Sequence, residues 1–233
     1  TMKKLTLSLF LILFGFSAFA QFWSGGGHFN GGFSNGELKK ETSGLFIPTV
    51  SGILLYEAAT APIQFGFELG YGIYGTKMEK RTDLYAGFND ELRLRRNNNI
   101  LTGMVVMRYQ TNPLGKIRHF IEAKFGANYL DTRYKIRESA VSEKAIESGK
   151  DFENWTLSYS VGTGIQIPIV SDSGVYLELK ANYQTGNAVR FLTKGDATYV
   201  SEPGGGGSFD YNYRRSPMDQ LVFSIGFIHV GSF

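Results

Sequence analysis

Between Ile63 and Ile73 every odd position is large and apolar (Ile63, Phe65, Phe67, Leu69, Tyr71, Ile73), while the even positions are Gln64, Gly66, Glu68, Gly70 and Gly72. A period of two is the mark of a β-strand. In a soluble sheet the apolar side would pack on a core and the other side would meet bulk water. Here the second side is mostly glycine with one acid, which suits a crowded, wet interior, so the bulky side points outward into lipid. A strand in hydrocarbon cannot belong to an open sheet, whose edge N–H and C=O groups would go unsatisfied. The expected fold is therefore an all-β, antiparallel, up-and-down transmembrane barrel.

Seven further segments carry the same pattern. Residues 26–34 place Phe29 and Phe33 opposite His28, Asn30 and Gly32; residues 47–57 offer Val50, Leu54 and Tyr56 to lipid, with Ile53 and Leu55 blurring the alternation. The stretch already described runs on to about residue 77. In 100–110, Leu101, Val105, Met107 and Tyr109 alternate with Thr102 and Arg108. In 120–131, Ile121, Ala123, Phe125, Ala127 and Tyr129 oppose Glu122, Lys124, Gly126 and Asn128. Residues 155–170 send Trp155, Leu157, Tyr159, Val161, Ile165, Ile167 and Ile169 outward, and 175–186 alternate Val175, Leu177, Leu179, Ala181 and Tyr183 with Tyr176, Glu178, Lys180, Asn182 and Gln184. The last strand, 221–233, carries Leu221, Phe223, Ile225 and Phe227 outward.

Eight is an even number that closes, and the connections alternate in length. Short turns are expected at 59–62, 112–116 and 171–174, where Pro62, Pro113, Gly115 and Gly174 supply turn chemistry. Long loops are expected at 35–46, 81–98, 139–154 and 193–217. Short turns inside and long loops outside are the rule for outer-membrane barrels. Composition agrees: 29 glycines, 13 tyrosines and 19 phenylalanines in 233 residues suit a barrel interior and its aromatic girdles. The absence of cysteine excludes disulfides and thiolate metal sites.

Residues 1–20 read as a secretory signal. Lys3 and Lys4 precede an apolar run from Leu5 to Phe16, and Ala18 and Ala20 stand before Gln21. Thr1, ahead of Met2, is extraneous, and the barrel domain is expected to occupy 21–233. Removing the leader takes two of the 24 basic residues and none of the 21 acids, leaving 22 against 21, a charge of +1. That near-neutral balance gives no support to a nucleic-acid partner.

The leader, the eight strands, the alternation of short turns with long loops and the terminal Phe233 together resemble small outer-membrane barrels of the OmpA transmembrane-domain and OmpX type. The repeated F-G-x-x-G and Y-x-x-G pieces resemble the outer-membrane β-barrel proteins common in Bacteroidota. The resemblance spans nearly all of 21–233. It implies an integral outer-membrane location, with outer-membrane lipid and lipopolysaccharide as surroundings.

Two groups of residues are candidates for function. Glu68, Arg108, Glu122, Lys124, Glu178 and Lys180 all face inward at about one height, three acids against three bases. An eight-stranded barrel is barely wide enough for side chains, so these groups are expected to pair into a plug, with Arg108 reaching Glu122 directly and Glu68 from its other side. The loops supply the second group: Arg93, Arg95 and Arg96, and then Tyr211, Tyr213, Arg214 and Arg215, a tyrosine and arginine mix typical of recognition surfaces. Within 139–154, residues 142–149 are expected to form a helical turn or two ended by Gly149. Lipid A deacylases place a serine two positions after a histidine, whereas His28, His119 and His229 are followed there by Asn30, Ile121 and Gly231. No catalytic, metal or cofactor site is expected. The leading reading is a non-enzymatic barrel acting through its loops, on its own or as an accessory subunit of a larger outer-membrane complex. The alternatives are a narrow channel for small or hydrophobic solutes and a lipid A-modifying enzyme.

Overall fold

A computed structural model describes residues 23–58, 61–85, 90–112, 116–138, 144–169, 174–202 and 207–231. The signal segment, parts of the three short turns, Phe88, the glycines at 204–206 and Phe233 lie outside the described residues. Eight strands close into a barrel: β1 (Trp23–Ser34), β2 (Phe46–Glu57), β3 (Ile63–Arg81), β4 (Leu92–Gln110), β5 (Arg118–Arg137), β6 (Glu147–Pro168), β7 (Val175–Gly186) and β12 (Gln220–Val230). Each pairs antiparallel with its neighbour in the chain, and β12 pairs with both β7 and β1 to complete the ring. Among the described residues no helix is long and apolar enough to cross a membrane.

The wall follows the period of two. Along β3 the burial alternates without a break from Gln64 to Tyr74, with Phe67 62% exposed on the outside and Glu68 buried on the inside. The outward apolar residues form one band, bounded by aromatic rows. Toward the long loops, Tyr71, Leu101, Tyr129 and Trp155 follow one another across four strands, the last two rings 4.6 Å apart. Toward the short turns, Trp23 and Tyr56 pack edge to face. A closed barrel with an apolar belt between aromatic girdles is an integral outer-membrane protein.

Several long loops of the sequence reading prove to be wall. β3 continues to Arg81, β4 begins at Leu92 and β6 at Glu147. The three residues of the expected helix that fall in β6 are extended, and Gly149 pairs with Tyr134 instead of ending a helix. A seven-residue helix, α1 (Gly36–Thr42), lies between β1 and β2 and buries only Leu38. Beyond β7 stand two small two-stranded sheets: β8 (Val189–Phe191) pairs with β11 (Arg214–Ser216), and β9 (Ala197–Ser201) pairs with β10 (Gly207–Tyr211). Bulges at Ile73/Gly75 and Thr132/Arg133 sit just past Tyr71 and Tyr129, where the strands leave the aromatic row and their twist must change.

The interior is stratified. Ile53, Leu55, Val106, Ile228 and Val230, with Tyr176, form an apolar cluster near the short turns. Leu38, Ile47, Tyr74, Ile100, Leu130, Phe191 and Met218 form another near the loops, brought together by α1 and β8. A third cluster stands beyond the girdle, where Leu84, Leu92, Leu94 and Ile136 meet Tyr199 and Phe209 of the β9–β10 hairpin.

Candidate functional site

The six inward charges are brought together between the first two clusters, and sequence reasoning placed all six on the correct face. Arg108 on β4 is 0% exposed. It donates from Nη1 to Glu178 Oε2 at 2.8 Å and from Nη2 to Glu178 Oε1 at 3.0 Å, a bidentate clasp that crosses to β7. Its Nη2 also reaches Glu122 Oε2 at 3.0 Å on β5, the residue directly opposite in the ladder. Its guanidinium lies 3.8 Å from the centre of the Phe120 ring, a cation–π contact made stronger by desolvation.

The second half of the network runs through lysine. Lys124 Nζ donates to Glu68 Oε2 at 2.7 Å and stands 2.9 Å from Glu122 Oε1. Lys180 Nζ stands 3.5 Å from Glu68, 3.8 Å from Glu178 and 4.0 Å from Glu122, central to three carboxylates without a direct hydrogen bond to any. One expected contact is not made. Glu68 faces Met104 in the ladder, and Gln64 is what stands opposite Arg108, so Glu68 pairs with Lys124 instead.

Neutral side chains complete the carboxylate coordination. Gln166 Nε2 donates to Glu178 Oε2 at 2.8 Å, Asn182 Nδ2 to Glu122 Oε1 at 2.9 Å and Ser51 Oγ to Glu68 Oε1 at 2.8 Å, while His28 Nε2 lies 3.0 Å from Glu178 Oε1. The sequence reading set His28, Gln166 and Asn182 on inward faces without joining them to the charges and did not single out Ser51; inward parity on neighbouring strands was the available signal. Inward glycines make the room. A Cβ on Gly226 would stand 2.6 Å from His28 Cδ2, and one on Gly164 would stand 2.3 Å from Phe120 Cζ, the ring beneath Arg108. Above the network lies a polar chamber of about 50 Å³, bordered by Asn30, Thr49, Thr102, Ser160 and Gln184.

The loop candidates divide. Arg93, Arg95 and Arg96 are wall residues of β4, not loop residues, so strand parity separates them. Arg96 turns inward, where its Nε donates to Asp151 Oδ2 at 2.6 Å and its guanidinium lies 4.2 Å from the Phe209 ring. Arg93 and Arg95 turn outward. Opposite them stand Arg137 and Lys135 of β5, two basic residues that sequence reasoning missed because it ended that strand at residue 131. The alternation Arg133, Lys135, Arg137 was the signal that the strand continues.

Arg214 is a structural group. Its Nε and Nη2 donate to Asp196 at 2.7 and 2.8 Å, and Asp196 also accepts bonds from Thr193 N and Oγ1, each 2.7 Å. Burial pushes the Asp196 carboxyl up, but these hydrogen bonds outweigh it and hold the pKa below the usual range. Arg215 is exposed. Tyr213 and Tyr211 join an aromatic row with Phe209 and Phe152, and Arg190 stacks 4.3 Å above Tyr213.

No protein-family model and no curated protein matches the sequence. Solved structures that are similar include the Neisserial surface protein A (11% identity, TM-score 0.41, covering 90% of this chain and 96% of that one). A major outer membrane protein from Thermus thermophilus is similar at 11% identity and TM-score 0.45, covering 88% and 98%. The N-terminal β-barrel domain of Pseudomonas aeruginosa OprF is similar at 11% identity and TM-score 0.36, covering 88% and 96%.

Proposed function

We propose that this outer-membrane barrel is non-enzymatic, that its own side chains plug its lumen, and that it acts through its extracellular surface, as an accessory subunit of a larger outer-membrane complex. The observation that carries the reading is the Arg108 clasp, which ties β4 to Glu178 on β7 and to Glu122 on β5 with no exposed guanidinium surface. Apolar clusters lie on either side of that layer. The chamber between them, at about 50 Å³, is far below the several hundred Å³ of a typical ligand pocket.

The histidines support the non-enzymatic part. His28 is consumed by Glu178 inside the barrel, and His119 and His229 are exposed on the outer wall. For the partner surface the reading relies on Tyr213 and Arg215, where an aromatic side chain and an exposed cation stand together at the loop end.

Planar-bilayer recording tests the plug: the purified protein should be electrically silent, and a reproducible unit conductance would establish the narrow channel in its place. Cross-linking in intact membranes tests the surface. A specific protein partner, lost in Tyr213→Ala with Arg215→Ala, is the expected result.

A further inference from the structure

We propose that the outer wall of β4 and β5, beyond the aromatic girdle, is a binding site for a multiply phosphorylated glycolipid of the outer leaflet. The argument begins with a cost. In the ladder Arg95 stands opposite Lys135 and Arg93 opposite Arg137, and like charges directly opposed on one sheet face destabilise the pair. Asn97 and Arg133 form the next row toward the membrane. Among the described residues no carboxylate forms an ion pair with Arg93, Arg95, Lys135 or Arg137, and Arg137 Nε is buried without a hydrogen-bond partner. The one acid at the foot of the stack, Asp131, is taken by Arg133, and Lys80 at its edge is taken by Glu91.

Among the described residues, those on the opposite face cannot turn to neutralise this one, because they are already committed. Leu92, Leu94 and Ile136 point the other way into the cluster covered by Tyr199 and Phe209. The basic face therefore meets whatever surrounds the barrel. Between Arg95, Asn97, Arg133 and Lys135 it forms a cleft of about 210 Å³, with Tyr71 of the girdle at its foot.

Height selects the occupant. Arg133 lies four residues past Tyr129 and Arg137 eight, roughly 13 and 26 Å along a strand at ~3.3 Å per residue. With a tilt of about 40° these become roughly 10 and 20 Å above the hydrocarbon edge. Phospholipid headgroups occupy only about 5 to 7 Å there, so a glycerophosphate would reach the lowest row alone. A phosphorylated sugar headgroup with more than one phosphate spans all three rows. Three of the four unpaired cations are arginines, whose forked donors match phosphate oxygens in pairs.

The test uses the full protein in phosphatidylethanolamine nanodiscs, with binding of labelled lipopolysaccharide measured by titration. Arg95→Gln, Lys135→Gln and Arg137→Gln combined should weaken binding by about tenfold or more, whereas Lys39→Gln with Lys40→Gln, two exposed charges on α1, should not. Enzymatically dephosphorylated lipopolysaccharide should bind the native protein as weakly as intact lipopolysaccharide binds the triple variant. Folding is read separately from heat-modifiable gel mobility. Without lipid the triple variant should unfold no more easily than the native protein, since it loses only opposed like charges. Equal binding by native and triple-variant protein would overturn the proposal. So would full displacement by inorganic phosphate, which would assign the face to the free anion, or equal retention of phosphatidylglycerol, which would reduce it to a general anionic surface.

Discussion

Arg108 and Arg95 lie on the same strand, thirteen residues apart, and their surroundings could hardly differ more. Arg108 points inward below the girdle and meets two carboxylates and an aromatic ring. Arg95 points outward above it, and its one side-chain hydrogen bond is to Asn97 Oδ1 at 3.2 Å. The wall is continuous through both, so the strand itself does not distinguish them. Parity decides whether a cation sees protein or surroundings, and height decides whether those surroundings are hydrocarbon, headgroup or water. The consequence is energetic as well as geometric. A cation in the lumen is locked to residues 14 and 70 positions away, whereas most ion pairs beyond the girdle are local, such as Arg81 with Asp83 and Lys77 with Glu79.

The sharpest way to break that contrast is to remove Arg108. Arg108→Ala would take the bidentate partner from Glu178 and one of two close cations from Glu122, which keeps Lys124, and losing one partner of a buried pair costs ~3 to 5 kcal/mol. Arg108→Met with Glu178→Gln removes both sides of the bidentate clasp and should be more stable than Arg108→Ala alone. Urea unfolding in detergent or liposomes, read as a double-mutant cycle, measures the coupling. Strictly additive effects would mean that these groups are individually solvated.

Height can be tested alone, on the outer face. Phe125 is 58% exposed within the apolar band and Met78 is 54% exposed beyond the girdle. Phe125→Arg should cost ~2 to 4 kcal/mol, the penalty of a cation near mid-bilayer, while Met78→Arg should cost ~0 to 1 kcal/mol even with Arg95 opposite it in the ladder. Similar losses in liposomes would put the membrane boundary elsewhere.

A smaller and more local effect is expected at Asp196, which accepts four bonds from Arg214 and Thr193. Asp196→Asn should cost ~1 to 3 kcal/mol in the ordering of the hairpins, seen as faster hydrogen exchange or protease cleavage within 193–217. The global urea midpoint should stay put, because the barrel wall does not depend on this contact. A shifted midpoint would join the hairpins to the barrel as one cooperative unit.

What could be read from sequence follows the same division. Where lipid lies on one side and a crowded lumen on the other, alternation is loud: the seventh predicted strand, 175–186, matches β7 residue for residue. Beyond the girdle the outward residues become Arg93, Arg95, Arg133 and Lys135, which look like loop, and only Leu92, Leu94 and Ile136 betray an inner face. Bulges at Ile73/Gly75 and Thr132/Arg133 also shift the parity there, so Thr76 and Met78 take over the face that Ile73 held. Helix α1 escaped because a single buried residue, Leu38, carries no period. Within the lumen, faces were legible and so was the Arg108–Glu122 pair on neighbouring strands, whereas the pairing of Glu68 with Lys124 instead of Arg108 depends on ladder register, which no single strand encodes.

The smallest expected effect concerns an exposed cluster beyond the girdle, and it works in two pH windows of opposite sign. Glu147 accepts hydrogen bonds from Tyr134 and Tyr85, each 2.6 Å, and these bonds hold its carboxyl below the usual range. A depressed carboxyl contributes stability that is present above its unfolded pKa of about 4.3 and lost as pH falls through the folded value. Tyr134 shifts the other way. Its hydrogen bond to Glu147 comes first among the causes, and burial adds to it, raising the phenol to about 12. That contribution is fully present below the unfolded phenol value of about 10 and disappears as pH climbs through the folded one. Ultraviolet titration should therefore show a late-ionising tyrosine that is missing in Tyr134→Phe and moves down in Glu147→Gln. Loosening of residues 144–150 by hydrogen exchange should appear on the acid side in the native protein and be weaker in Glu147→Gln, which keeps a hydrogen-bond acceptor without titrating. An unchanged tyrosine titration in Glu147→Gln would show that Tyr134 owes its shift to burial alone. The contact would then belong with the locally solvated pairs of the outer region.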